Sequence, residues 1–160
     1  MNHDAINKNI RKQFMHAEKT FYQQLSDYQD QLDALKIKKR WTINKAVMRE
    51  TDTLATTTES ALSSYHDLKT KLHHHYQRVV QKVNEKEKLA SSYTYTIEDE
   101  LTLDTGRSMI SEANDLLLSD HILLAIDKVS ETNHFFSETI STIRNRWLAI
   151  HQQTITFLYQ

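Results

Sequence analysis

Cysteine and proline are absent from this chain, and glycine occurs once, at position 106. Without cysteine there is no disulfide and no thiolate to act as nucleophile or metal ligand. With no proline and a single glycine, tight turns and sheet corners are disfavoured and long helices are favoured. Phosphate-cradling loops are excluded on the same ground, because they need several glycines to bring backbone N–H groups close to the ligand. No apolar run approaches the roughly 20 residues that cross a bilayer. Met1-Asn2-His3-Asp4 lacks the basic-then-apolar pattern of a signal peptide. An excess of one charge is missing too. Lys and Arg number 20 against 21 Asp and Glu, a net charge of −1, which argues against an electrostatic, nonspecific nucleic-acid binder. The reading is a soluble chain made in the cytoplasm, with any export by a route that needs no signal peptide.

What is present is helical periodicity. Ile122, Ile126, Val129, Asn133, Phe136, Ile140, Ile143, Trp147, Ile150, Thr154 and Phe157 are spaced alternately four and three apart. That step averages 3.5 residues, close to the α-helix's 3.6, so these side chains share one face. A first stripe runs Ile6, Ile10, Phe14, Ala17, Phe21, Leu25, Tyr28, Leu32, Leu35, with Asp4 as candidate N-cap. A second runs Val47, Leu54, Ala61, Tyr65, Leu68, Leu72, Tyr76, Val79, Val83, Ala90. Between them lies a basic stretch, residues 36–45, in which nothing breaks a helix, so the two stripes belong to two helices or to one very long helix. Thr and Ser crowd residues 51–64, where their hydroxyls compete for backbone hydrogen bonds, so a bend is expected there.

Residues 91–96 form the best loop candidate, and Thr96-Ile97-Glu98-Asp99 has the spacing of a capping box with Asp in the Glu place. A third helix follows, with Leu101, Met109, Ala113, Leu116 and Leu117 as its apolar side and Asp104-Thr105-Gly106 as a candidate kink. Ser119 or Asp120 is expected to cap the fourth. The predicted class is all-α: an elongated helical hairpin or a four-helix bundle with long coiled-coil-like helices. A single domain spans residues 1–160, with helices near 4–50, 54–90, 97–118 and 120–159.

Chemistry-bearing patterns are sparse. Consecutive helical residues point about 100° apart, so His73-His74-His75 cannot converge on one ion. No His pair stands four apart. Asp and Glu are scattered, and Ser and Thr lack a glycine-rich elbow. The expectation is therefore no enzyme, no metal, no cofactor and no small-molecule substrate. Lys36, Lys38, Lys39, Arg40 and Trp41 allow a nucleic-acid reading, with the indole stacking on a base. A solvated helical segment is the favoured account of them. Asn133, a polar side chain on the fourth stripe, either fixes register from a buried position or sits where the seam is wet.

Long stripes with little else in the chain to cover them predict an interaction protein that packs against a helical partner or against itself. The expected contact residues are Phe136, Ile140, Ile143, Trp147 and Ile150, with Phe14, Phe21 and Tyr28 facing them within the chain or across an interface. A self-contained bundle acting as an inhibitor or immunity-type protein is the alternative.

In its size, its poverty in Pro and Gly, its lack of Cys and its long amphipathic helices around a short loop, the chain resembles a known family. It is similar to the small all-helical proteins encoded with LXG toxins of Gram-positive type VII secretion, distant relatives of the WXG100 hairpins. The resemblance implies an adaptor that binds a toxin's helical domain side by side and helps target it for export. It departs from the WXG turn, since Trp41-Thr42-Ile43 has Ile where Gly is expected. The resemblance also implies an aromatic-x-x-x-acid export signal, for which Tyr95 and Asp99 are the candidates.

Overall fold

The computed structural model describes residues 6–37, 45–94 and 96–159. Every regular element among them is an α-helix: α1 Lys8–Ile37, α2 Lys45–Ser92, α3 Ile97–Leu118 and α4 Ile122–Leu158. The all-α class matches the periodicity. The helix bounds differ in the first half. Asp4 and residues 38–44, with most of the basic stretch and Trp41, lie outside the described residues. Helix α1 starts at Lys8, where the Oδ1 of Asn7 accepts the Asn9 N–H at 2.8 Å in the manner of an N-cap.

The expected bend at 51–64 is absent, because α2 runs unbroken for 48 residues. The reason lies in the hydroxyls. Thr51, Thr53, Thr56 and Thr57 each donate to the carbonyl four residues earlier, at 2.8–3.0 Å. Satisfied inside the helix, they have no need of a competing backbone conformation.

The chain divides into two compact units. The first, Asn7–Lys71, is a two-helix hairpin of α1 and the beginning of α2. The Gln31 amide donates to Thr51 at 3.4 Å, and the Thr58 hydroxyl lies 3.2 Å from the Gln24 carbonyl, which fixes an antiparallel register. Seam residues recur in a 4–3 pattern on both helices: Phe14, Ala17, Phe21, Gln24, Tyr28, Gln31 on one, Thr51, Leu54, Thr58, Ala61, Tyr65, Leu68 on the other. Tyr65 is the hub. Phe14 and Phe21 stack on it with centroids 5.5 Å away, and its hydroxyl donates to Glu18 at 3.2 Å. Among the described residues of this unit only Phe14, Thr58 and Tyr65 are buried, and the other seam residues are half-buried. Two cylinders touch along one line, so a pair alone leaves its seam partly open.

The second unit contains everything from Leu72 onward. Here the rest of α2 packs with α3 and α4 in an up-down-up arrangement. The Tyr76 hydroxyl donates to Asn114 at 2.6 Å, Arg107 pairs with Glu87 at 3.0 Å, and Lys86 donates to Ser137 at 2.6 Å. Three helices close around a common axis. Val79, Val83, Leu103, Ile126, Val129 and Phe136 have at most 2 % of their surface exposed. Asn133 is buried in this core, at 6 % exposure, which settles its position on the seam.

Helix α3 corrects two expectations. Its inward row is Asp99, Leu103, Gly106 and Ala113, while Leu101 is 61 % exposed. Gly106 does not break the helix. It lies under the Phe136 ring, and a Cβ built there would overlap Cζ, Cε1 and Cε2 of that ring. The Thr96–Asp99 capping box forms as read, with the Asp99 N–H donating to the Thr96 hydroxyl at 3.1 Å.

Ser119 and Asp120 do not cap α4. They close α3 instead. Asp120 has φ 65°, the His121 N–H returns to the Leu116 carbonyl at 2.9 Å, and the Asp120 N–H returns to Leu117 at 3.1 Å, a Schellman closure. The N-cap of α4 is His121, whose side chain makes no capping bond.

Candidate interaction surface

The far end of α4 is built by a mismatch in helix lengths. Near the start of α3, Asp99 pairs with Arg146 at 2.6 Å, so α3 accompanies α4 no further than that turn. Helix α2 ends at Ser92, six residues beyond the Lys86 that meets Ser137, which brings its end level with about residue 143 of α4. Helix α4 continues to Leu158. The dozen residues past Arg146 extend roughly 18 Å at 1.5 Å each.

The stripe changes character at this point. Phe136 is 0 % and Ile143 3 % exposed, whereas Trp147 is 42 %, Ile150 59 % and Phe157 77 % exposed. Leu148, Ile155 and Leu158 add to the apolar surface. Trp147 stacks flat on His151, with ring centroids 5.2 Å apart and planes 6° apart. No acidic residue follows Glu138 in the sequence, and at the base of the overhang Arg146 is paired with Asp99 of α3.

The expected contact residues therefore separate. Trp147 and Ile150 are open. Ile140 is half-buried. Phe136 and Ile143 are buried inside the three-helix unit, so neither is available to a partner, and Gly106 is what receives the Phe136 ring. Phe14 is buried against Tyr65, while Phe21 and Tyr28 are half-buried in the hairpin seam. The periodicity identified inward-facing positions correctly. It could not show where the cover stops, because that depends on the lengths of the neighbouring helices.

Of the candidate export signal, Tyr95 lies outside the described residues. Asp99 is 6 % exposed, and its carboxylate is committed to Arg146 and to the capping box. Its position is fully accounted for by these structural contacts.

Electrostatic perturbations are few and have structural causes. Burial raises the Tyr76 phenol above its usual 10.0. Glu87 and Asp104 raise Arg107, and Glu112, 3.0 Å away, raises Lys128. Among the described residues no group of three or more His, Asp or Glu could hold a metal ion, and no helix is long and apolar enough to cross a membrane. Compared with family models, curated proteins and solved structures, the chain matches none.

Proposed function

We propose that this protein is a non-enzymatic helical adaptor that packs the overhanging end of α4 against a helical domain of another protein. The observation that carries the reading is the change along one stripe, from 3 % exposure at Ile143 to 59 % at Ile150. Large apolar side chains grouped on a projecting helix mark an interaction surface. A helix-on-helix contact fits their spacing, with Trp147 and Phe157 as aromatic anchors. The resemblance to proteins encoded with LXG toxins makes a secreted toxin's helical domain the first partner to test.

The experiment is a pull-down from the source cell using wild type, Trp147→Asp and Phe157→Asp. Both positions lie outside the buried core, so the variants should keep full helicity by circular dichroism. Loss of a captured helical protein in both variants supports the assignment. Undiminished capture by the folded variants removes this surface from the account.

A further inference from the structure

A second apolar surface lies on the hairpin, on one side only. In α2, Met48, Ala55, Leu62 and Lys69 are spaced seven apart and flank the seam. In α1, Glu18, Leu25 and Leu32 do the same. The Tyr65 ring shows that the two rows share a side, since Glu18 accepts its hydroxyl at 3.2 Å and Lys69 Nζ lies 5.5 Å from its centroid. Tyr22, 52 % exposed, reaches the same ring edge-on at 6.1 Å. Met48 and Leu62 are 58 % and 46 % exposed, and Leu25, Leu32 and Ala55 are half-buried. The opposite flank carries Asp27, Glu50, Thr57 and Ser64, all exposed and polar.

The row on α2 continues in step as Tyr76, Val83 and Ala90, which are 3 %, 0 % and 0 % exposed. The row is shut in the three-helix unit and open in the hairpin.

We infer that a second copy of this chain covers the open side, two hairpins stacking face to face into a four-helix bundle. Area supports this. From Lys12 to Asp33 the face is about 33 Å long at 1.5 Å per residue. Two helices about 9 Å apart make it roughly 20 Å wide. That gives on the order of 650 Å² per partner, about 1,300 Å² in total, within the range of stable interfaces.

Charge supports it as well. A two-fold axis parallel to the helices lays α1 over the 45–71 segment of the second copy at equal height and antiparallel to it. The Gln24–Thr58 and Gln31–Thr51 contacts set those heights. Along the outer edge, Asp33 then falls level with Arg49 of the second copy. Both side chains are exposed in the hairpin. The axis repeats the pair, so an identical copy brings opposite charges together at two places.

The test is light scattering after size-exclusion chromatography of the full chain from low to high micromolar concentration. Wild type should form a dimer. Leu62→Glu should weaken association at least tenfold with helicity unchanged. Asp33→Lys should weaken it several-fold, and adding Arg49→Glu in the same chain should restore it. A wild type that stays monomeric throughout overturns the inference, and then the face is covered within the chain or by a different protein. A dimer indifferent to Leu62→Glu overturns it too. Trp147→Asp should leave the dimer intact, so this result is read separately from the partner pull-down.

Discussion

The hairpin and the three-helix unit share one helix and differ in what covers it. Before residue 72, the flanking row of α2 shows Met48 at 58 % and Leu62 at 46 % exposure. After it, the same row shows Val83 and Ala90 at 0 %. The residue types are comparable on both sides of that point. Local sequence therefore sets which face of a helix is apolar, and the number of neighbouring helices sets whether that face is a core or a surface. A helix pair buries a line, while a third helix encloses a volume. By this comparison the hairpin is the part of the molecule left open to association, and the three-helix unit is complete on its own up to Ile143.

The contrast is broken or sharpened most strongly by truncating core side chains in each unit. Phe136→Ala empties a fully enclosed site and should cost about 3–5 kcal/mol. Leu54→Ala, at a half-buried seam position, should cost only about 1–2 kcal/mol, because less area leaves water and the site is already partly wet. Urea denaturation followed by circular dichroism measures both. Equal costs would mean that the hairpin seam is as closed as the core.

Gly106→Ala probes how tightly the closed unit is packed. Replacing Gly by Ala inside a helix ordinarily gains up to about 1 kcal/mol. Here the new methyl overlaps the Phe136 ring, and overpacking of this kind costs roughly 1–3 kcal/mol. Net destabilisation is expected, and a Phe136→Leu background should relieve part of it, since touching residues do not act independently. A net gain in stability from Gly106→Ala alone would show slack at this contact.

The smallest effect concerns Tyr76. Its phenol is buried and donates to Asn114 at 2.6 Å. Tyr76→Phe should cost about 1 kcal/mol at neutral pH. Burial raises its pKa in the folded state above 10.0, so above that pH the unfolded chain loses the proton first. The contribution is fully present below pH 10.0 and is lost as pH rises through the higher folded value. Stability should fall with pH in that window more steeply for wild type than for Tyr76→Phe. Identical slopes would show that the phenol ionises as freely in the folded state as in the unfolded one.

Much of this was legible in the sequence. The all-α class, the seam of α4, the Thr96–Asp99 cap and the loop before it follow from 4–3 spacing and capping chemistry, whereas spacing left residues 4–90 as one helix or two. What periodicity missed has definite physical causes. The Thr-rich segment looked like a bend because its hydroxyls were counted as competitors of the helix, whereas they bond within it. In α3 the inward row includes Asp99 and Gly106, an acid and a residue without a side chain. A search for apolar positions therefore chose Leu101, which faces water. Ser119 and Asp120 have the composition of an N-cap, yet they serve the preceding helix through the left-handed Asp120. The interaction surface was half legible. The stripe placed Trp147 and Ile150 in line with Phe136 and Ile143, but only the ends of α2 and α3 decide which of the four are open.

The most direct test is residue-resolved amide hydrogen exchange of the full chain, in dilute and in concentrated solution. The account predicts the strongest protection across residues 122–143 at both concentrations. Amides of α1 and of residues 45–71 should exchange markedly faster in dilute solution and slow down as concentration rises. Hairpin amides as protected as those of 122–143 in dilute, monomeric protein would contradict it, because the open row of α2 would then already be covered within a single chain.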